Sequence, residues 1–205
     1  MKLYLASSLQ HTGKTIANSL IADGFSGRLM FLTTASEGEK GDLSWLDADR
    51  QPLLDAGLTV FDYSVTGKTP KEVEEVLEGV GAVCVAGGNM YYLLDQVRKS
   101  GFDQIITRLV KAGMPYIGSS AGAMLAGPTI ETSLDDPSIT PHLTDLRGLQ
   151  LCPISVRPHW GSAYFAERYA REFERLYSLN YSMILLTDTE YVLVEDDCYS
   201  VRSVR

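Results

Sequence analysis

Apolar and polar positions alternate along the chain in blocks of two kinds. Short, continuous apolar runs of four to seven residues fall at Leu3–Ser7, Arg28–Thr34, Leu58–Tyr63, Gly81–Ala86 and Met114–Ile117. Runs of that length, bounded by Gly, Pro or Asn, read as buried strands. Between them lie segments with apolar residues three and four apart. Ile16, Ala17, Leu20 and Ile21 predict a helix over Ile16–Gly24; Tyr91, Leu94 and Val97 predict one over Met90–Ser100. Further helices are expected up to Ala56-Gly57, over 70–79, and over Phe102–Ala112. The helix over 70–79 carries its own start signal: Thr69 and Glu72 form a capping box around Pro70. Strand and helix alternate, which predicts an α/β fold with a largely parallel sheet and helices on both faces, three layers in all.

Beyond residue 130 the rhythm breaks. Glu131–Asp145 is polar and turn-rich and reads as a surface loop. Leu149–Val156 is expected as a strand, Ala163–Tyr177 as a charged helix, and Met183–Thr187 as another strand. Tyr191–Glu195 and Tyr199–Val201 read as a hairpin closing around Asp196-Asp197. No repeat, low-complexity stretch or linker interrupts residues 1–205, so one domain is expected.

Two loops invite chemistry. Ser8-Leu9-Gln10-His11-Thr12-Gly13-Lys14-Thr15 ends like a phosphate-binding loop, but Ser8 stands where the first glycine is needed. It reads instead as a strand-to-helix loop capped by Thr12 or Thr15. Gly118-Ser119-Ser120-Ala121-Gly122 follows a strand and fits Gly-x-Ser-x-Gly. That pattern holds a serine on a sharp strand-to-helix turn, where glycine neighbours relieve backbone crowding. Ser120 is the candidate nucleophile, with the Ala121 N–H aimed at a substrate oxygen. Gly87-Gly88-Asn89 also follows a strand; Gly88 is the second candidate oxyanion donor, and Asn89 is either a helix N-cap or a substrate contact.

A serine nucleophile requires a base and an acid that orients it. The chain holds three histidines, His11, His142 and His159, and His159 follows a predicted strand within Pro158-His159-Trp160. The acid is open between Asp135, in the polar loop, and Glu190, just after the apolar run 183–186. Composition narrows the partners. A net charge of −8 argues against nucleic acid and anionic membrane surfaces. Cys84, Cys152 and Cys198 form no metal-ligand or disulfide pattern. No metal or organic cofactor is implied, and no apolar run reaches membrane-spanning length. A cytoplasmic protein, monomeric or homodimeric, is the expectation.

Four blocks, Gly87-Gly88-Asn89-Met90-Tyr91-Tyr92-Leu93-Leu94, Gly118-Ser119-Ser120-Ala121-Gly122-Ala123, Gly127-Pro128-Thr129-Ile130 and Pro158-His159-Trp160, carry a resemblance. In order and spacing they resemble the serine peptidase family that holds peptidase E, an aspartyl dipeptidase, and cyanophycinase. The resemblance implies a class I glutamine-amidotransferase-like fold, Ser120 as nucleophile and His159 as base. It implies an acid at the position of Asp135 or of Glu190. The nucleophile–His–Glu order of the related amidotransferases favours Glu190. It also implies a short-peptide substrate with amino-terminal aspartate, for which Arg168 and Arg171 are the candidate cations. Ser119 stands where a bulky residue often precedes the serine in peptidase E. The alternatives are a metabolite-binding protein on the same scaffold, or an esterase or amidase.

Overall fold

A computed structural model describes residues 1–204. The strands are β1 (Lys2–Ala6), β2 (Arg28–Leu32), β3 (Thr59–Tyr63), β4 (Val80–Val85), β5 (Tyr116–Ser119), β6 (Ser155–Arg157), β7 (Met183–Leu185), β8 (Glu190–Glu195) and β9 (Cys198–Ser203). The helices are α1 (Leu9–Ala22), α2 (Ser44–Asp55), α3 (Pro70–Leu77), α4 (Met90–Lys99), α5 (Phe102–Lys111), α6 (Ala121–Leu125) and α7 (Ala166–Ser178). Seven strands form one sheet in the order β3-β2-β4-β5-β1-β8-β9. The first five are mutually parallel; β8 runs antiparallel to β1, and β9 antiparallel to β8. The predicted hairpin is this β8–β9 pair.

Strand alternation divides the core in two. In β1, Leu3 and Leu5 pack on one face with residues of α3, α4, α5 and α6. Tyr4 and Ala6 pack on the other with Leu9, Ile16, Ala17 and Leu20 of α1 and Leu53 of α2. The central strands are therefore apolar on both sides, which is why they read as continuous runs. The β3-β2-β4-β5-β1 order reverses direction about β2 and β4, and β4, β5 and β1 end at one edge. The loops after these three strands carry Gly87-Gly88, Ser120 and Ser7 to that edge.

Three expectations need correction. The loop read at residues 8–15 is the first two turns of α1, which begins at Leu9 rather than Ile16. Gly13 sits inside that helix, where a Cβ would lie 3.1 Å from the Pro52 Cβ of α2, so this glycine serves helix contact and no phosphate loop exists. Of the strand expected at Leu149–Val156, only Ser155–Arg157 is extended with a partner, and it pairs with β7 outside the main sheet. The segment 131–145 is not wholly at the surface: Thr132, Ser133 and Thr140 are buried.

Candidate active site

The turn between β5 and α6 places Ser120 at φ 50°, ψ −108°, a left-handed conformation. Its N–H is held by the Ala6 carbonyl at 3.0 Å. The flanking glycines are obligatory. A Cβ on Gly118 would lie 2.5 Å from the Gly122 carbonyl, and one on Gly122 would lie 2.0 Å from the Val85 oxygen. Five adjacent residues thus fix a strained serine between the ends of β1, β4 and β5.

His159 also has a positive φ, 64°. Its Nε2 lies 2.9 Å from Ser120 Oγ, and its Nδ1 lies 2.6 Å from Asp188 Oδ1. That imidazole hydrogen bond, with Ser7 assisting, holds the Asp188 carboxyl below its ordinary range. An ionised carboxylate only accepts, so Nδ1 carries the proton and Nε2 is free to accept from the Ser120 hydroxyl. Ser7, at the end of β1, ties the group together. It accepts from the His159 N–H at 2.7 Å and its hydroxyl donates to Asp188 Oδ1 at 3.0 Å. The Phe165 ring stacks on the imidazole at 4.3 Å between centroids, with 4° between planes.

The carboxylates expected beside His159 are elsewhere. Glu190 folds back onto its own turn, accepting from the Thr187 N–H and hydroxyl, each at 2.8 Å. It shapes the turn whose apex carries Asp188. Asp135 accepts from the Met90 N–H at 2.8 Å, at the start of α4. Asp188 has a signal in the sequence, an acid just past the apolar run 183–186, two positions before the glutamate the family order favours.

Beneath the serine lies a second carboxylate that sequence reasoning missed. Asp49 of α2 is buried and accepts from the Ser119 hydroxyl at 2.5 Å and the Gln10 N–H at 2.8 Å. Burial pushes its carboxyl up, against those hydrogen bonds. It joins α2, the start of α1 and the elbow.

A crevice of about 610 Å³ opens over Ser120 and His159. Gly88 and Ala121 line it, and their N–H groups have no hydrogen-bond acceptor among the described residues. Gly88 has φ 128°, and a Cβ there would lie 2.4 Å from the Ala35 carbonyl. Asp135 and Arg168 line the crevice as well, 3.8 Å apart. Arg171 does not; its side chain is 71% exposed beside Glu172. Asn89 caps α4 by accepting from the Tyr92 N–H at 3.0 Å, which is its local reading rather than the substrate contact.

The model of peptidase family S51 matches residues 3–202. The chain belongs to peptidase family S51. Peptidase E of Escherichia coli O1:K1 / APEC is 36% identical over 169 residues, covering 80% of this chain and 70% of that protein. An uncharacterized peptidase of Pasteurella multocida (strain Pm70) is 28% identical over 208 residues, 98% of this chain and 97% of that one. In fold, the S51 chain is similar to a crystal structure of a Listeria monocytogenes EGD-e protein named for peptidase E. The TM-score is 0.87 at 24% identity, covering 100% of this chain and 98% of that one. It is also similar to a peptidase from an acI-B1 Actinobacterium, with a TM-score of 0.73 at 19% identity over 99% and 87% of the two chains. Among the described residues no helix is long and apolar enough to cross a membrane.

Proposed function

We propose that this S51 chain is a serine exopeptidase that hydrolyses short peptides through Ser120, His159 and Asp188. The observation that carries the proposal is the continuous hydrogen-bonded chain Ser120 Oγ, His159, Asp188, at 2.9 and 2.6 Å. Ser120 Oγ attacks the scissile carbonyl while Nε2 takes its proton. Asp188 holds the Nδ1–H tautomer and stabilises the imidazolium that forms. The free N–H groups of Gly88 and Ala121 receive the oxyanion. As the C–N bond breaks, Nε2 returns the proton to the leaving amine. Water, deprotonated by His159, then hydrolyses the acyl-enzyme.

Residues 1–205 act as one catalytic domain, of the class I glutamine-amidotransferase-like kind that the family resemblance implies. The three free cysteines, two of them buried, suit a reducing compartment such as the cytoplasm. The preference for amino-terminal aspartate that the resemblance implies calls for a cation in the crevice; Arg168 reaches its wall, where it faces Asp135 at 3.8 Å, and Arg171 lies exposed outside it.

A panel of dipeptides beginning with Asp, Glu, Asn, Ala and Leu, incubated with the wild type and Ser120→Ala, tests the reading. Cleavage abolished in the mutant, with fluorophosphonate labelling of the wild type alone, is expected. A well-folded wild type that neither cleaves nor labels would instead be a binding protein on this scaffold.

A further inference from the structure

Arg157 is the penultimate residue before His159 and lines the same crevice, beside Met124 and Pro158. It is 3% exposed. Its Nε has no hydrogen-bond partner, and its Nη1 meets only the Met124 sulfur, at 3.3 Å. The Tyr169 ring lies 5.4 Å from the guanidinium carbon. No carboxylate lies within 4.0 Å of it among the described residues. An arginine stays charged in proteins, and burying a charge without a counterion is costly unless something else supplies one.

The nearby charged groups are already engaged. Asp135 gives one oxygen to the Met90 N–H, and its other lies 3.8 Å from Arg168. Arg175 is used on the Glu131 and Ser133 carbonyls and on Glu172. Arg168 is 38% exposed in its side chain and faces Asp135. Lys40 lines the crevice but is exposed. Among the cations at the crevice, Arg157 alone is buried with no carboxylate in ion-pair contact among the described residues; the Tyr169 side chain and the more distant Asp135 are its nearest compensating groups.

We infer that Arg157 is the carboxylate-binding cation of the crevice: a substrate carboxylate enters beside Met124 and accepts hydrogen bonds from its guanidinium, selecting peptides that present a carboxylate there. The inference rests on the serine-peptidase reading for its substrate class, and it assigns specificity to a residue other than Arg168 or Arg171. A planar guanidinium with unspent N–H groups suits a bidentate carboxylate. Two carboxylates qualify, the acidic side chain and the peptide's own carboxyl terminus.

The test is binding, measured by calorimetry in the Ser120→Ala background, so that turnover plays no part. Asp-Leu, Asn-Leu, Asp-Leu-amide and Ala-Leu-amide are titrated with and without Arg157→Met. Arg157→Met should weaken Asp-Leu by roughly 30-fold or more, as expected when a site built for a polar group loses its partner. Ala-Leu-amide, which has no carboxylate, should be unaffected. Loss on Asp-Leu and Asp-Leu-amide but not Asn-Leu assigns the side chain; loss on Asp-Leu and Asn-Leu but not Asp-Leu-amide assigns the carboxyl terminus. Arg157→Lys should restore part of the affinity.

Equal weakening of all four peptides, unchanged Asp-Leu affinity, or no measurable Asp-Leu binding to the Arg157 protein overturns the inference. So does a fall in melting temperature for Arg157→Met, which would mark a structural role; removal of an unmatched buried charge among apolar groups should hold or raise it. Fluorophosphonate labelling of the protein with Ser120 intact is read separately. Its absence would sink the serine mechanism while leaving the carboxylate result to stand or fall alone.

Discussion

Asp188 Oδ1 lies 2.6 Å from His159 Nδ1, and Ser7 Oγ is hydrogen-bonded to both residues. The carboxylate is thus aimed by two contacts from separate parts of the chain. Asp188→Asn should lower kcat about 10³- to 10⁴-fold, because the amide presents an N–H and favours the wrong imidazole tautomer. Glu190→Gln and Asp135→Asn should each cost less than about 10-fold, since neither touches the imidazole. The kcat for peptide hydrolysis, beside the rate of phosphonylation by a fluorophosphonate probe, measures all three. A Glu190→Gln loss as deep as that of Asp188→Asn would sink this assignment.

Asp188 and Asp49 should leave opposite marks on the pH dependence of stability. The Asp188 carboxyl is held below 3.8, so its contribution is present above that value and is lost as pH falls through the lowered one. The advantage of wild type over Asp188→Asn should therefore shrink on acidification. The Asp49 carboxyl is pushed above 3.8 by burial, so the native state holds its proton longer than the unfolded chain. Its stabilising share is present below 3.8 and declines as pH rises through the raised value. Asp49→Asn should gain on the wild type over that rise. Urea titrations from pH 3 to 8 read both, and parallel curves would contradict them.

The elbow tolerates no side chain at its flanks. Gly118→Ala and Gly122→Ala each drive a Cβ into backbone, at 2.5 and 2.0 Å. Each should destabilise by about 3 kcal/mol or more, the upper end for overpacking, because backbone cannot rotate aside. Thermal or urea unfolding checks this, and a loss under about 1 kcal/mol would show that the turn relaxes easily.

Strain at Ser120 should be recoverable as stability. Its φ of 50° suits glycine better than any other residue. Ser120→Gly should be more stable than Ser120→Ala by about 1–3 kcal/mol, although both lack the Ser120 hydroxyl. Equal stabilities in denaturant titration would mean that the turn stores no strain.

How much was legible follows from how far apart the interacting residues are. Short apolar runs marked the parallel strands; both faces of β1, β2, β4 and β5 are buried, whereas β3 at the sheet edge is only partly so. The capping box at Thr69 and Glu72 and the cap by Asn89 lie within one helical turn, and both form as read. Ser120 and its glycines are five consecutive residues, so the clash that demands Gly118 and Gly122 is set largely by neighbours. His159 was found through its Pro-His-Trp setting. What failed was long-range. Gly13 reads from its neighbours as part of a loop, yet it lies inside α1, where a Cβ would crowd Pro52 of α2. The sequence offered Asp135 and Glu190 as partners for the imidazole, and the one that meets it, Asp188, was not among them, because the choice depends on which acid the turn after β7 aims at the end of β1. Glu190 is diverted by the Thr187 N–H, and Asp135 by the start of α4. Arg157 was silent in the sequence, because a missing counterion is a property of the folded surroundings. By itself the sequence determined the parallel strands, the elbow, and Ser120 and His159 as candidate nucleophile and base, through sterics and hydrogen bonds between near neighbours. The tertiary structure decided the acid partner, the buried Asp49 beneath the elbow and the unmatched Arg157. Those depend on side chains brought together from 29 residues apart, for His159 and Asp188, to 181 apart, for Ser7 and Asp188.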